Sequence, residues 1–356
     1  MKVVVACGGT GGHSFPGLAV AEELARRGHD VTVWASGRDI ESSVMKRWTG
    51  PIFSTGARQL RLKNAFSILR SIFRCRAEMK RAKPDALLAM GSYSSLPPVL
   101  AARSCKVPMF LHEANTVPGK AVDLLSKFAR TVAISFESTA AYLPGVKTVR
   151  TGLPVRADIA SGTRFAEIPA NAFVVFVTGG SQGAHVVNEL MSQALVLLKA
   201  ELDGCADSAG RPLYVIHQTG AADEAAVRAR YEKAGLSARV NAFEREMAAA
   251  FASADLVVAR AGASTCFELA VCGKAALLVP LPTAMRNHQH FNAEAFAACG
   301  AADEGDQAKL TPENLCSYVR HRYDHPEKLT AMSAKIRTLA TPDAAARVAD
   351  LIEGKN

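Results

Sequence analysis

Two stretches, one opening each half of the chain, share a design that leaves few folds open. The first is Val3-Val4-Val5-Ala6-Cys7-Gly8-Gly9-Thr10-Gly11-Gly12-His13: a β-branched run that stops at four glycines and an imidazole. From Phe15 to Arg27 apolar residues then recur at helical spacing, ending at Gly28. The second is Phe173-Val174-Val175-Phe176-Val177-Thr178-Gly179-Gly180-Ser181-Gln182-Gly183-Ala184, followed again by a helical stretch. Each predicts a buried strand, a glycine turn and a helix. A Cβ would block so tight a turn and keep a phosphate off the backbone. The helix N-terminus behind the turn favours an anion. The pattern predicts an α/β chain with two Rossmann-like, doubly wound parallel sheets, whose ligands meet the carboxyl ends of the strands. Two such edges facing one another would form a cleft.

The glycine pattern fits neither common nucleotide fingerprint. Gly9-Thr10-Gly11 begins G-x-G-x-x-G, but Ser14 stands where the third glycine belongs. The next strand, Val31 to Ala35, has no acidic residue at its end for a ribose. No Gly-Lys-Ser/Thr closes a P-loop. One turn alone is compatible with no ligand at all; the repeat argues for a shared purpose.

A length of 356 residues with 49% hydrophobic content suits two cores. Thr148 to Arg156, with Gly152 and Pro154, has linker chemistry. The expected division is 1–158 and 159–340. The segment 341–356 is read as a helix packing back on the first. Eight cysteines form no C-x-x-C pair, which predicts reduced thiols and a cytosolic setting, with Cys7 a buried strand-end residue. No run of about 18 apolar residues predicts a membrane span, and the N-terminus does not read as a signal peptide.

The net charge of +9 is uneven. Between Arg58 and Lys83 nine basic residues face one acid, Glu78, and are interleaved with Leu60, Leu62, Phe66, Ile68, Leu69, Ile72 and Phe73. A basic amphipathic segment with large aliphatic residues suits an anionic bilayer surface. Phe66 and Phe73 are its only aromatics, too few for base stacking, so no nucleic acid is expected. The alternative is a solvated basic face.

Further along, polar residues cluster where strands end. Val107 to Leu111 leads into His112-Glu113-Ala114-Asn115; turn-making and capping are the plain alternative roles for Glu113 and Asn115. Leu256 to Ala259 runs into Arg260-Ala261-Gly262-Ala263-Ser264-Thr265-Cys266-Phe267-Glu268. There Ser264 and Thr265 are expected to cap a helix whose N–H groups receive phosphate. Glu268, one turn on, could accept both hydroxyls of a ribose, or merely complement the helix dipole as a first-turn acid. Arg286-Asn287-His288-Gln289-His290-Phe291-Asn292 offers amides and imidazoles suited to sugar hydroxyls. A metal on His288 and His290 would lack a third ligand, and no Asp-x-Asp is present to hold one under a pyrophosphate. No metal or other cofactor is expected.

Taken in order, these motifs resemble the bacterial peptidoglycan N-acetylglucosaminyltransferase family over nearly the whole chain. The resemblance rests on Gly8-Gly9-Thr10-Gly11-Gly12-His13 with Phe15-Pro16-Gly17-Leu18-Ala19, on His112-Glu113-x-Asn115 and on Thr151-Gly152-x-Pro154-Val155-Arg156. It continues with Gly179-Gly180-Ser181-Gln182-Gly183-Ala184, with Arg260-Ala261-Gly262-Ala263 and Glu268, and with His288-Gln289 and Asn292-Ala293. It implies the two-Rossmann-domain glycosyltransferase architecture (GT-B), with 1–158 the acceptor- and membrane-binding domain and 159–340 the nucleotide-sugar domain. The donor would be UDP-N-acetylglucosamine (UDP-GlcNAc) and the acceptor undecaprenyl-pyrophosphoryl-N-acetylmuramoyl-pentapeptide (lipid I). The linkage would be β1→4, formed with inversion by a peripheral enzyme at the cytoplasmic face of the plasma membrane. Other cell-wall synthesis or division proteins would be partners.

Matched by motif, Ser181 and Gln182 would meet the donor pyrophosphate and Arg156 the nucleotide. Ala263, Ser264, Thr265, Cys266, Phe267 and Glu268 would hold phosphate and ribose, with Glu268 on the ribose. His288 and Gln289 would meet the sugar, and Thr10, Gly11, Gly12 and Asn115 would complete its site. Glu244 would meet uracil through its main chain alone. Ala114 and Leu153 depart from the family's usual glutamine and asparagine, and Asp203 to Pro212 looks longer than usual. His13 is the expected base, since histidine titrates near about pH 6.5; holding a phosphate or orienting the acceptor is its alternative role. Glu113 is the second candidate. Two other functions fit the same sequence: a UDP-GlcNAc 2-epimerase, and a membrane-docked UDP-sugar sensor.

Overall fold

The computed structural model describes all residues except 9–10, 37–44, 58–64, 181, 205–209 and 356. The chain forms two compact units, Met1–Ala157 with Thr341–Asn356, and Asp158–Ala340.

The first unit is built on seven strands: β1 Lys2–Ala6, β2 Asp30–Ala35, β3 Ile52–Ser54, β4 Ala86–Ala89, β5 Met109–Glu113, β6 Thr131–Ile134 and β7 Thr148–Arg150. All pair in parallel, in the order β3-β2-β1-β4-β5-β6-β7. The second has six: β8 Phe173–Thr178, β9 Leu213–Gln218, β10 Ala238–Asn241, β11 Leu256–Ala259, β12 Ala276–Leu278 and β13 Asp303–Glu304. These too are parallel, in the order β10-β9-β8-β11-β12-β13. Both are doubly wound α/β sheets. Helices cover both faces of such a sheet, so its strands have no solvent side; Phe173 to Val177 are fully buried. In each unit the strand order reverses beside the first strand, between β1 and β4 and between β8 and β11. In sheets of this kind ligands bind in a crevice at such a reversal.

The glycine turns lie there, and close packing explains some of their glycines. The first helix is Gly11–Arg26, starting earlier than its apolar stripe implies, because glycine carries no helical signal of its own. Gly17 on this helix does the work expected of a third fingerprint glycine: a Cβ on it would lie 2.4 Å from the Cβ of buried Cys7. Gly28 ends the helix region at φ +85°.

The helix Ala344–Glu353 sits in the first unit. Its Val348, Ala349 and Ile352 join the core around Val20 and Leu24. Arg27 donates to Asp350 at 2.5 Å and to Glu353 at 2.8 Å. The sequence places strand ends at Leu111 and Phe243, and both fall two residues away. β5 extends through His112 and Glu113, and β10 ends before Phe243. Ladder pairing, not local pattern, sets strand ends. The sequence predicts a helix over Asp39–Lys46, which lies largely outside the described residues, as does the middle of the Asp203–Pro212 loop.

The basic segment is described from residue 65 as the helix Ala65–Ala82. It buries Ser71, Cys75 and Met79, spaced at four, and turns Phe66, Leu69, Arg70 and Phe73 outward. Among the described residues no helix is long and apolar enough to cross a membrane.

Candidate active site

In the first unit the turns after β1 and β4 are laced together. Ser92 Oγ and Ser94 Oγ both donate to the Gly8 carbonyl, at 2.5 and 2.9 Å. The ring of His13, in the first turn of its helix, lies 2.7 Å through Nδ1 from the Met90 carbonyl oxygen. A carbonyl can only accept, so Nδ1 carries the proton and Nε2 is the ring's basic nitrogen. Nothing in the sequence marks Ser92 and Ser94 for this contact, since short hydroxyl residues after a strand signal only a turn.

Arg156 stacks its guanidinium 5.0 Å from the centre of the Phe15 ring, which brings it beside the same helix as Gly11, Gly12 and His13. Thr10 lies outside the described residues.

Glu113 proves to be a loop builder. It is 2% exposed, and its oxygens accept from Asn115 N at 2.8 Å, Asn115 Nδ2 at 3.1 Å and Gly119 N at 2.9 Å. Burial pushes its carboxyl above the usual range, against the pull of those N–H groups. Both its oxygens are engaged within its own loop, which is the turn-making role weighed for it. Asn115 stays half-buried on the same loop. The departing residues Ala114 and Leu153 are both buried.

His112, beside it, is fully enclosed and donates from Nε2 to the Gly152 carbonyl at 3.1 Å. This anchors the bend that leads to Arg156. At Gly152, φ +80°, a Cβ would strike Thr341 Oγ1.

Burial depresses His112 to about 4 and the equally enclosed His217 to about 3. In the unfolded chain both titrate near about pH 6.5. Between those limits the unfolded state binds more protons, so stability rises with pH. Acidification from about pH 6.5 to pH 4 is expected to remove about 3 kcal/mol through His112 alone, with buried Glu113 opposing part of the loss. Urea unfolding across that range, compared between the natural chain and His112→Asn, checks this: the variant's slope should be shallower.

In the second unit, Thr178 and Ala259 are register partners on β8 and β11. The turns Gly179–Ala184 and Arg260–Gly262 therefore leave the sheet side by side, one strand spacing apart. Gly183, at φ +76°, sits so close to the next loop that a Cβ would be 2.0 Å from the Thr219 carbonyl oxygen. Gln182 is exposed, and Ser181 lies outside the described residues.

The helix Ala263–Cys272 begins at Gly262, and no side chain caps it. Ser264 and Thr265 are thus inside the first turn and are not caps, because Gly262 takes the extended conformation that a cap requires. The side chains of Cys266 and Phe267 point into the packing of the unit. Both are buried, the Cys266 thiol is pushed up to about 12, and Phe267 packs edge-on against Phe296. Ala263 is buried also. Ser264, Thr265 and Glu268 are half-buried. Glu268 stands beyond the first turn, which removes the dipole-complementing role considered for it.

Glu244 has a full side-chain role where only its main chain was expected to matter. It is 2% exposed, and it accepts from Arg239 Nε at 3.0 Å, Asn241 Nδ2 at 2.8 Å and Glu246 N at 2.9 Å. Burial works to raise its carboxyl, and the Arg239 bond with the others brings it below the usual range.

The polar run is divided among several tasks. Asn292 is fully buried and ties the Ala261 carbonyl, 3.1 Å away. His290 pairs with Glu304 at 2.7 Å. His288 Nδ1 lies 2.8 Å from the Met285 carbonyl oxygen, and Gln289 Oε1 accepts from Leu281 N at 2.9 Å. Arg286 and Asn287 are both left-handed, at φ +54°, a strained stretch directly before His288 and Gln289. Among the described residues no cluster of three or more His, Cys, Asp or Glu is arranged to hold a metal ion.

Residues 3–134 match the glycosyltransferase family 28 N-terminal domain, and residues 174–348 match the glycosyltransferase family 28 C-terminal domain. The chain is similar to the Myxococcus xanthus (strain DK1622) protein named UDP-N-acetylglucosamine--N-acetylmuramyl-(pentapeptide) pyrophosphoryl-undecaprenol N-acetylglucosamine transferase. They are 38% identical over 360 residues, 99% of this chain and 92% of that one. A protein of the same name from Geobacter sulfurreducens is 38% identical over 363 residues, covering 98% and 97%. The fold matches the crystal structure of Acinetobacter baumannii MurG with a TM-score of 0.79 at 35% identity, over 99% of each chain. A crystal structure of UDP-N-acetylglucosamine 2-epimerase matches with a TM-score of 0.74 at 15% identity, over 100% of this chain and 97% of that one, a likeness of fold alone.

Proposed function

The chain belongs to glycosyltransferase family 28, and from that premise we infer that it transfers N-acetylglucosamine from UDP-GlcNAc to the N-acetylmuramoyl unit of lipid I, giving lipid II for peptidoglycan. One observation favours this over the epimerase: 38% identity across 99% of the chain joins it to a transferase, whereas 15% joins it to the epimerase.

The second unit holds the donor in this reading. Main-chain N–H groups of Gly179–Ala184 and of the uncapped first turn at Ala263–Thr265 would face the pyrophosphate. Glu268 would accept the ribose hydroxyls. Gln289, its Oε1 already engaged, would offer Nε2 to the sugar. In the first unit, His13 Nε2 would remove the proton from the acceptor 4-hydroxyl as that oxygen attacks the anomeric carbon. The bond from that carbon to UDP breaks on the opposite side, and UDP leaves with the electron pair. The helix N-termini stabilise the charge gathering on the β-phosphate, the role a metal plays elsewhere. Gly11, Gly12, Asn115 and Arg156 are assigned to sugar and nucleotide contacts on the resemblance of their motifs.

Radiolabel transfer from UDP-GlcNAc to a short-chain lipid I analogue tests the reaction. Labelled lipid II analogue is expected, at the same rate with and without chelator. Release of the manno sugar from donor alone would mean an epimerase; intact donor in the presence of acceptor would mean a sensor.

Membrane docking is the second part of the proposal, and the helix Ala65–Ala82 supports it. Phe66, Leu69 and Phe73 are 81%, 51% and 59% exposed on one face, beside Arg70, Arg74 and Arg76. A face like this suits peripheral attachment to an anionic leaflet, here the cytoplasmic face of the plasma membrane. Immersing three such side chains is worth about 1 kcal/mol or more each. Replacing all three by serine should lower co-sedimentation with phosphatidylglycerol vesicles at least about tenfold. Transfer to a water-soluble acceptor should stay unchanged.

A further inference from the structure

Gln218 ends β9 with its side chain 2% exposed, between two loops of the second unit. Its Nε2 donates to the Gly180 carbonyl at 2.7 Å, and its Oε1 accepts from Glu244 N at 3.2 Å. The Gly180 carbonyl also accepts from Gly183 N at 3.0 Å, the bond that closes the glycine turn. One amide thus joins the glycine turn to the main chain of Glu244, beside Phe243, whose ring is 51% exposed. One partner is a carbonyl and the other an N–H, so only a side chain with a donor at one end and an acceptor at the other satisfies both.

We propose that Gln218 is a positioning residue for the donor: it sets the separation between the glycine turn and the Phe243–Glu244 segment, and touches no substrate itself. The proposal rests on the reading that this unit binds UDP-GlcNAc, with the pyrophosphate at the turn and the base at Phe243–Glu244. A ligand spanning two subsites gains affinity when their spacing is already correct, while a fragment occupying one of them does not. Losing the amide should therefore penalise the whole nucleotide and spare its parts.

The test compares UDP, uridine and inorganic pyrophosphate binding to the natural full-length chain, to Gln218→Ala and to Gln218→Glu, by calorimetry and by competition against UDP. The Glu variant keeps the shape and can still accept from Glu244 N, but sets a carboxylate oxygen against the Gly180 carbonyl. In both variants the UDP dissociation constant should rise about tenfold or more, with uridine and pyrophosphate changed less than about twofold. Should Gln218→Ala not fold, the isosteric Gln218→Glu decides alone. UDP binding unchanged in the folded variants, or fragments weakened as much as UDP, would overturn the role of Gln218 and leave the donor site standing. A natural chain that fails to bind UDP would overturn both.

Discussion

His13→Ala is expected to lower kcat for transfer by about 10²- to 10⁴-fold, the range for loss of a positioned general base. UDP affinity should stay within about twofold, because the variant removes an interaction made only as the proton moves. The expectation rests on the hydrogen bond from Nδ1 to the Met90 carbonyl, which presents Nε2 as the basic nitrogen. The rate of the natural enzyme should fall on the acid side as that nitrogen takes up a proton, and the variant should lose this limb. Steady-state rates across pH, with UDP titrations on the same preparations, are the measurement. A loss of UDP affinity matching the loss of rate would reassign His13 to holding phosphate.

Glu268→Ala should act on binding instead. A carboxylate that accepts two ribose hydroxyls makes charge-assisted bonds worth about 1.5–3 kcal/mol each. Their loss should raise KM for UDP-GlcNAc on the order of 10²-fold with kcat within a few fold. The partner groups can be identified by a cycle with 2′-deoxyuridine donor: the deoxy donor should be penalised on the natural enzyme and hardly at all on the variant. An equal penalty on both would show that Glu268 does not meet that hydroxyl. Glu268 lies beyond the first turn of its helix, where the dipole's pull on a carboxylate has fallen off.

Much of this site was legible because the features concerned are local. A strand that stops at glycines before an apolar-striped helix carries its geometry in its own residues, as at Val3–Gly12 and Phe173–Gly183. Side-chain employment was not legible, since it depends on neighbours far along the chain. Nothing local in Glu113 says that Asn115 and Gly119 donate to its oxygens. Glu244 looked dispensable as a side chain until Arg239 and Asn241 met it. Ser264 and Thr265 looked like caps because they are good cap residues, yet Gly262 held the cap conformation. The polar run at 286–292 read as a single sugar-binding strip, but Asn292 turned inward to Ala261 and His290 sideways to Glu304.

By itself, then, the chain's sequence determined two parallel α/β sheets, their glycine turns and the residues competent for the chemistry, because period, glycine and β-branching act over a few residues. The tertiary structure alone decided which of those residues are still available to a ligand. A buried polar group takes whatever partner the packing brings within reach, since leaving it unpaired costs more than almost any local preference can return. Gln218, mute in the sequence and joined to two loops in the fold, is the clearest instance.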